Sequence, residues 1–288
     1  IIPDDELFHL PFEALQDENR NYLLQKFSVQ YQYSAALLGS EVSSKSSGSV
    51  LSFAPFAGAG YWDSLVSLSS LPASANEVQQ QNGTNLPDSL ATKENFLALA
   101  NQYPVVHLAT HASVNNDDPQ LSFISFYPGN RQSRLYAQEI YDLRLDSTKL
   151  VILSACETGT GQLVKGEGLM SLSRAFAYAG CPGIITSLWK AEDKTTSFIT
   201  QRLHYYLGKN ENRDQALRLA KLDLMTSPDI EPRMKTPNYW AHLIYIGEYE
   251  PDHKRSNWTW VAAGIVVILL GYYYLKRKSL PVSGKQQA

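Results

Sequence analysis

Two short aliphatic runs constrain the fold of this chain more than any other feature of its sequence. Leu150–Leu153 is too short for a helix and is bounded by turn residues, which predicts a strand buried on both faces. Cys156 follows this run, just before a glycine-rich turn. Residues 105–110 form a second apolar run, which ends at His111. Because α/β folds open their ligand crevice at the carboxyl ends of strands, we expect Cys156 and His111 to lie there.

Strand-like and helix-like segments alternate on both sides of these runs. Thr92 can cap a helical pattern over residues 93–101. A second helical pattern covers residues 166–180, with Gly180 in the position where helices end. Residues 183–188 are another apolar strand. This alternation predicts an α/β sandwich with a largely parallel sheet.

Composition limits the class of protein. A chain of 288 residues, 44% apolar and 18% charged, can bury a full core as one large domain or two small ones. A net charge of −3 and a pI near 6.1 give no reason to expect a nucleic-acid partner. The two cysteines, Cys156 and Cys181, are too few for a disulfide framework but leave a single bridge between them open.

The C-terminal part of the chain has a different pattern. Residues 258–275 are apolar with aromatic residues at both ends, and basic residues follow them. The pattern predicts a linker over 251–257, a single-pass transmembrane helix over 258–275 and a short basic tail over 276–288. The basic tail favours a domain on the periplasmic side of the membrane, and a cytosolic, tail-anchored domain is the alternative. Because the chain begins with Ile1 rather than Met, we interpret it as part of a longer protein.

A cysteine and a histidine at two strand ends are the groups that a cysteine nucleophile and its base require. Cys156 ends its strand rather than sitting inside it, and Gly159 and Gly161 leave room for a substrate backbone to approach. A helix that begins near Gly166 would lower the thiol pKa if its N-terminus faced the sulfur. The alternative is a buried cysteine that packs as a small hydrophobe.

His107 and His111 are distinguished by their places in one strand. They share a face because they are an even number of residues apart. His107 lies within the run and is predicted to give structural support, whereas His111 lies at its end and is predicted to be the base. Their spacing also suits a metal site on a helix, but no Glu follows His107 and the segment is strand-like, so no metal is predicted. The glycine pairs lack the pattern of a nucleotide loop, and no cofactor is predicted.

The two motifs together resemble the CHAT domain, a caspase- and separase-related family of cysteine peptidase-like domains. Residues 107–111 (HLATH) and 154–159 (SACETG) carry the resemblance. It extends to further segments, and covers roughly residues 1–250 in all. These segments are residues 3–15, 166–180, 187–193 and 237–241.

The resemblance implies a caspase-like three-layer sandwich, with a mainly parallel central sheet flanked by helices. Cys156 would be the thiolate that attacks the scissile carbonyl, and His111 would activate it and protonate the leaving amine. Backbone amides at Ala112, Ala155 and Gly159 would hold the oxyanion. Ala112 stands where related caspases have Gly.

The predicted function is therefore that of a membrane-anchored cysteine endopeptidase of CHAT type, acting on a protein or peptide substrate. The family is often fused behind tetratricopeptide repeats, which implies an upstream repeat domain in the full-length chain. The alternative is a catalytically silent CHAT module that binds a partner in a bacterial signalling or stress system.

Overall fold

The aliphatic runs form strands and the amphipathic runs form helices in a computed structural model of the chain. The chain divides into two compact units, Ile1–Glu250 and Pro251–Ala288. All elements labelled below belong to the first. The structure describes residues 1–35, 48–62, 67–79, 83–115, 117–128, 133–154, 156–157, 167–189, 192–248 and 266–270.

Every described strand is two to five residues long. In chain order they are β1 (Val50–Ala54), β2 (Tyr61–Trp62), β3 (Ser67–Leu68), β4 (Gly83–Pro87), β5 (Val105–Leu108), β6 (His111–Ser113), β7 (Phe123–Ser125), β8 (Arg134–Tyr136), β9 (Leu150–Leu153), β10 (Cys156–Glu157), β11 (Gly183–Ser187) and β12 (Leu243–Gly247).

The helices that cover the sheet come mainly between the strands in sequence. They are α1 (Leu23–Lys26), α2 (Pro72–Gln79), α3 (Lys93–Leu99), α4 (Ala137–Tyr141), α5 (Glu167–Tyr178), α6 (Asp193–Gly208) and α7 (Arg213–Thr226). Thr92 caps α3 as its sequence predicts, because the Thr92 side chain accepts a hydrogen bond from the Asn95 amide.

Six strands form the central sheet, in the order β12-β11-β9-β5-β1-β4. Neighbouring strands are parallel except β11 and β12, which are antiparallel. β5 and β9 therefore lie side by side and end at the same edge, with Leu108 paired to Leu153. A smaller sheet of order β10-β6-β7-β8 stands at that edge.

Alternate residues along the strands fill two separate cores, which explains why the strands are aliphatic throughout. One core joins Val106, Leu108 and Leu153 to α3, α4 and α5. The other joins Val105 and Ile152 to α6 and α7 on the opposite face. Each fully buried Leu, Ile or Val side chain stabilises the fold by about 1.5–3 kcal/mol relative to an exposed one. The packing of helices on both faces of the sheet therefore stabilises the fold.

The predicted transmembrane helix over residues 258–275 is wrong. None of the helices in the described part of the chain combines the length and the apolar character that a bilayer crossing requires. The single-pass membrane localisation depended on this helix and is wrong as well. The predicted linker and basic tail lie outside the described residues.

Candidate active site

The chain brings the backbones of Cys156 and His111 together across two parallel strands. β6 continues the path of β5, and β10 continues that of β9. In the register of the β6–β10 pair, Cys156 is the partner of His111 and Glu157 is the partner of Ala112. Paired strands lie about 5 Å apart, so the backbones of the two predicted catalytic residues are neighbours.

The imidazole of His111 is held from two sides. Only 3% of the residue is exposed. Its ring packs against that of Phe56, with 5.0 Å between centroids and 54° between planes. Its Nε2 lies 2.8 Å from the carbonyl oxygen of Ser69, in the segment between β3 and α2. The loops that follow β1 and β3 therefore fix the ring in orientation.

The contact with Ser69 determines which nitrogen of His111 carries a hydrogen. A carbonyl oxygen only accepts hydrogen bonds, so Nε2 of His111 donates to it. The lone pair of the neutral imidazole then lies on Nδ1. Nδ1 is therefore the nitrogen that can accept a proton from a nucleophile.

His107 belongs to a polar network of four side chains beneath the site, formed with Glu77, Ser154 and His204. Ser154 Oγ donates to Glu77 Oε2 over 2.8 Å, and His107 Nε2 lies 3.0 Å from Ser154 Oγ and 3.2 Å from Glu77 Oε2. On the other side of the ring, His107 Nδ1 lies 3.0 Å from His204 Nε2. Both ring nitrogens of His107 are thus engaged in hydrogen bonds.

Burial shifts the pKa of two groups at this place, His204 in the polar network and Asp193 beside it. Burial lowers the pKa of His204 well below 6.5, and the neighbouring His107 lowers it further. His204 is therefore neutral at physiological pH. At the start of α6, burial raises the pKa of Asp193, and Glu77 adds to the effect. The Asp193 carboxylate accepts a hydrogen bond from the Ala73 amide in α2 over 3.1 Å.

The oxyanion donors predicted from the sequence are described only in part. Ala112 is 2% exposed and lies in β6, paired with Glu157 on one side and Ile124 on the other. Ala155 and Gly159 lie outside the described residues. Their roles stay predictions.

The second cysteine, Cys181, is buried in the core. Cys181 is a free thiol, 1% exposed, and its Sγ donates to the Gly183 carbonyl over 3.2 Å. Burial raises the pKa of the Cys181 thiol to about 11. This thiol is therefore protonated and inert at neutral pH.

A metal centre has no support in the described ranges, where no group of three or more His, Cys, Asp or Glu side chains is arranged to hold an ion. The His-x-x-x-His spacing places His107 and His111 on one strand path. Both ring nitrogens of His107 lie within hydrogen-bond distance of other side chains, Nε2 near Ser154 and Glu77 and Nδ1 near His204.

Sequence reasoning did not find several residues that surround the site. Glu77 and His204 come from helices far from the two motifs in sequence, and the Ser69 carbonyl comes from a loop with no motif of its own. Ser154 carried a weak signal, because it directly follows the predicted strand Leu150–Leu153 at the edge where the crevice was expected. Phe56 carried none.

A mixed α/β sheet with helices on both faces, and a cysteine and a histidine on paired strands at its edge, define the class as cysteine peptidase-like. The chain matches the family model of the CHAT domain over residues 1–248. It belongs to the CHAT domain family, which confirms the resemblance seen in the two motifs and supports a caspase-like peptidase fold.

Two curated relatives match part of this chain. Tetratricopeptide repeat protein 28 of Mus musculus is 26% identical over an alignment of 196 residues, and the match covers 56% of this chain and 8% of that protein. The Homo sapiens protein of the same name is 24% identical over 196 residues, with the same coverage. The chain thus spans less than a tenth of the length of these relatives. Neither is bacterial, so they give no support to the predicted bacterial setting.

Solved structures that align with part of this chain include the Arg specific cysteine proteinase gingipain R. It aligns with a TM-score of 0.43 and 14% identity, over 73% of this chain and 48% of that chain. A complex of the pro- and mature domains of RgpB from Porphyromonas gingivalis aligns with a TM-score of 0.41 and 14% identity, over 73% and 49% of the two chains.

Proposed function

We propose that this chain is a CHAT-type cysteine endopeptidase that hydrolyses peptide bonds of a protein substrate through Cys156 and His111. The observation that carries the proposal is the pairing of these two residues in the register of β6 and β10. Family membership and the fixed orientation of the His111 ring support it further.

The proposed reaction assigns one role to each group. The thiol of Cys156 gives its proton to Nδ1 of His111, and the thiolate attacks the scissile carbonyl carbon. The C–S bond forms while the carbonyl electrons move to oxygen, which backbone amides of Ala112, Ala155 and Gly159 stabilise. The C–N bond then breaks and His111 protonates the leaving amine. A water molecule, deprotonated by His111, hydrolyses the thioester and restores the thiol.

The Ser69 carbonyl has an orienting role in this scheme. It stabilises the hydrogen on Nε2 of His111, and so directs the basic nitrogen of the neutral ring to be Nδ1. It also stabilises the imidazolium that forms when the thiol loses its proton. A main-chain group in this role is independent of any side-chain substitution at position 69.

Iodoacetamide labelling of the 288-residue chain tests the proposal, because a paired thiolate reacts faster than an ordinary thiol. We expect Cys156 to be alkylated at pH 7 with an apparent thiol pKa below the ordinary value of about 8.5, and His111→Ala to move that pKa back toward 8.5. Mass spectrometry of the peptides distinguishes Cys156 from Cys181.

Cleavage provides the direct measurement. Self-processing and hydrolysis of a mixed peptide library should be abolished by Cys156→Ala and by His111→Ala, while Cys181→Ala serves as the matched control and retains activity. Circular dichroism establishes that the variants remain folded. Equal activity in the wild type and in both dyad variants would sink the proposal.

A second candidate function is a silent CHAT module that binds a partner without cleaving it. The burial of His111, only 3% exposed, favours this alternative because a substrate needs access to the dyad. A Cys156 thiol with an ordinary pKa, unchanged in His111→Ala, would decide for the silent module. The relatives are named as tetratricopeptide repeat proteins, and a repeat segment that gates this domain in the full-length chain stays a prediction.

A further inference from the structure

The polar network of Glu77, His107, Ser154 and His204 joins four elements at one place. Glu77 is in α2, His107 in β5 and His204 in α6, and Ser154 directly follows β9. Glu77 is 2% exposed, His107 0% and Ser154 7%. Two helices and two central strands are thus linked by side-chain hydrogen bonds within one buried region.

Two members of the polar network are in the segments that carry the dyad. His107 is four residues before His111, and Ser154 is two residues before Cys156. His107 and Ser154 are joined to each other over 3.0 Å. This bond ties the end of β5 to the end of β9 immediately before the chain enters β6 and β10.

We propose that the polar network is a positioning unit, which fixes the ends of β5 and β9 so that His111 and Cys156 meet in a productive geometry. This inference rests on the proposed function of the dyad. In this scheme no member of the network reacts with the substrate. It acts through the placement of the two strand ends.

The direction of each hydrogen bond shows why Ser154 is central. Its hydroxyl hydrogen goes to Glu77 Oε2, so its oxygen lone pairs are left to accept from His107 Nε2. Nε2 of His107 carries a hydrogen whether it donates to Ser154 or to Glu77. Removal of the Ser154 hydroxyl therefore takes a donor from a buried carboxylate and an acceptor from a buried imidazole at once.

The charges around Glu77 also favour a rigid arrangement. A buried carboxylate is costly unless hydrogen bonds or an opposite charge compensate it. His107 and Ser154 supply hydrogen bonds, whereas Asp193 on α6 is a second carboxylate close enough for Glu77 to raise its pKa. Any displacement of the strand ends would weaken the compensation of Glu77, so the polar network resists such displacement.

The polar network could also serve the stability of the fold alone. The reactivity of Cys156 distinguishes that role from the positioning role, because only the positioning role affects the thiol in the folded protein. The test measures the pH profile of iodoacetamide alkylation at Cys156 in the 288-residue chain. Ser154→Ala and Glu77→Gln remove parts of the network, and Ser154→Thr keeps the hydroxyl. The matched control is Ser52→Ala, since Ser52 is a buried serine of β1 that is paired in register with His107 and is not a member of the network.

We expect Ser154→Ala and Glu77→Gln to lower the alkylation rate at pH 7 by about tenfold to a hundredfold, because small displacements of reacting groups have effects of that size. The apparent thiol pKa should rise toward its ordinary value. Ser154→Thr should restore most of the rate. Ser52→Ala should leave it within about twofold of the wild type, because the Ser52 hydroxyl makes no hydrogen bond to the network in the described part of the chain.

Three outcomes would overturn the inference. If His111→Ala lowers the rate but Ser154→Ala and Glu77→Gln do not, the positioning role fails and the dyad stands. If neither His111→Ala nor the network variants change the rate, the dyad fails and the positioning role with it. If the rate falls only in proportion to unfolded protein, and Ser154→Thr does not restore it, the network serves stability alone.

Discussion

At the scale of single residues, the end of α5 shows how local sequence dictates backbone geometry. Gly180 has a φ of +100°, a left-handed conformation that favours glycine. Its amide donates to the Ala177 carbonyl over 3.1 Å, and the Cys181 amide donates to the Phe176 carbonyl over 3.1 Å. These two bonds form a Schellman motif, with Cys181 and Phe176 in the same core. The position of Gly180 at the helix end is thus confirmed.

Substitution at this glycine is expected to destabilise the protein. Gly180→Ala places a residue with a side chain at a positive φ, and its Cβ would lie 2.7 Å from Asp146 Oδ1. We expect a loss of about 1–3 kcal/mol in the free energy of unfolding, measured in urea. The control is Gly208→Ala at the end of α6, where a Cβ would meet nothing within 4 Å. That change should be neutral or stabilise the protein by up to about 1 kcal/mol, and equal losses in both variants would contradict the argument.

The sequence predicted those residues of the site that directly follow a predicted strand. Cys156 and His111 follow aliphatic runs, and adjacent parallel strands bring such ends together without further information. Glu77 and His204 could not be found in this way. Each lies on a helix, and the pairing of a helix position with a strand residue many positions away depends on how the layers pack.

At the scale of elements, long patterns were more informative than short ones. β5, β9 and β11 were predicted because aliphatic residues on both faces indicate a covered strand. β6 and β10 have three and two residues, too few to show a period, and the sequence did not predict the smaller sheet. The apolar run at 258–275, with its aromatic ends and the basic residues after it, gave a transmembrane prediction that failed, because none of the described helices has the length and apolar character of a bilayer crossing.

The contact between α6 and the start of β12 makes stability depend on pH. His242 directly precedes β12 and is fully buried. Its Nε2 lies 3.2 Å from Thr196 Oγ1 in α6, and that hydroxyl donates to the Glu192 carbonyl, so His242 is the donor. Burial, with a smaller contribution from the charge of the nearby Lys221, lowers the pKa of His242 to about 3. The folded protein therefore holds this imidazole neutral.

Acidification is expected to destabilise the fold through this group. Between pH 6.5 and about 3 the unfolded chain binds a proton at His242 that the folded chain does not, so stability falls as the pH falls. The contribution is about 1.4 kcal/mol per pH unit, and His204, whose pKa is also lowered, acts in the same direction. Urea unfolding from pH 8 to pH 4 should show a shallower decline for His242→Asn than for the wild type. Parallel declines would rule out His242 as a source of the acid sensitivity.

At the scale of the whole unit, the N-terminal segment is joined to the sheet and to α7. Tyr31 pairs with Ile246, with backbone hydrogen bonds from the Tyr31 amide to the Tyr245 carbonyl and from the Gly247 amide to the Tyr31 carbonyl. The Tyr31 hydroxyl donates to Glu13, and Glu13 forms an ion pair with Lys221 of α7. The side chains of this ion pair are 3% and 1% exposed. A buried charge pair thus connects the first residues of the chain with a helix more than two hundred positions away.

Removal of one partner of this pair is expected to cost more than removal of both charges. Lys221→Met leaves the Glu13 carboxylate buried without its cation, which should lower the free energy of unfolding by about 3–5 kcal/mol. In the double variant Glu13→Gln/Lys221→Met, the neutral amide oxygen can still accept from Tyr31, so most of that loss should be recovered. Urea unfolding gives the free energies, and hydrogen exchange at the Tyr31 and Gly247 amides reports whether the N-terminal segment detaches first. A double variant less stable than Lys221→Met would show that the cost does not arise from an uncompensated charge.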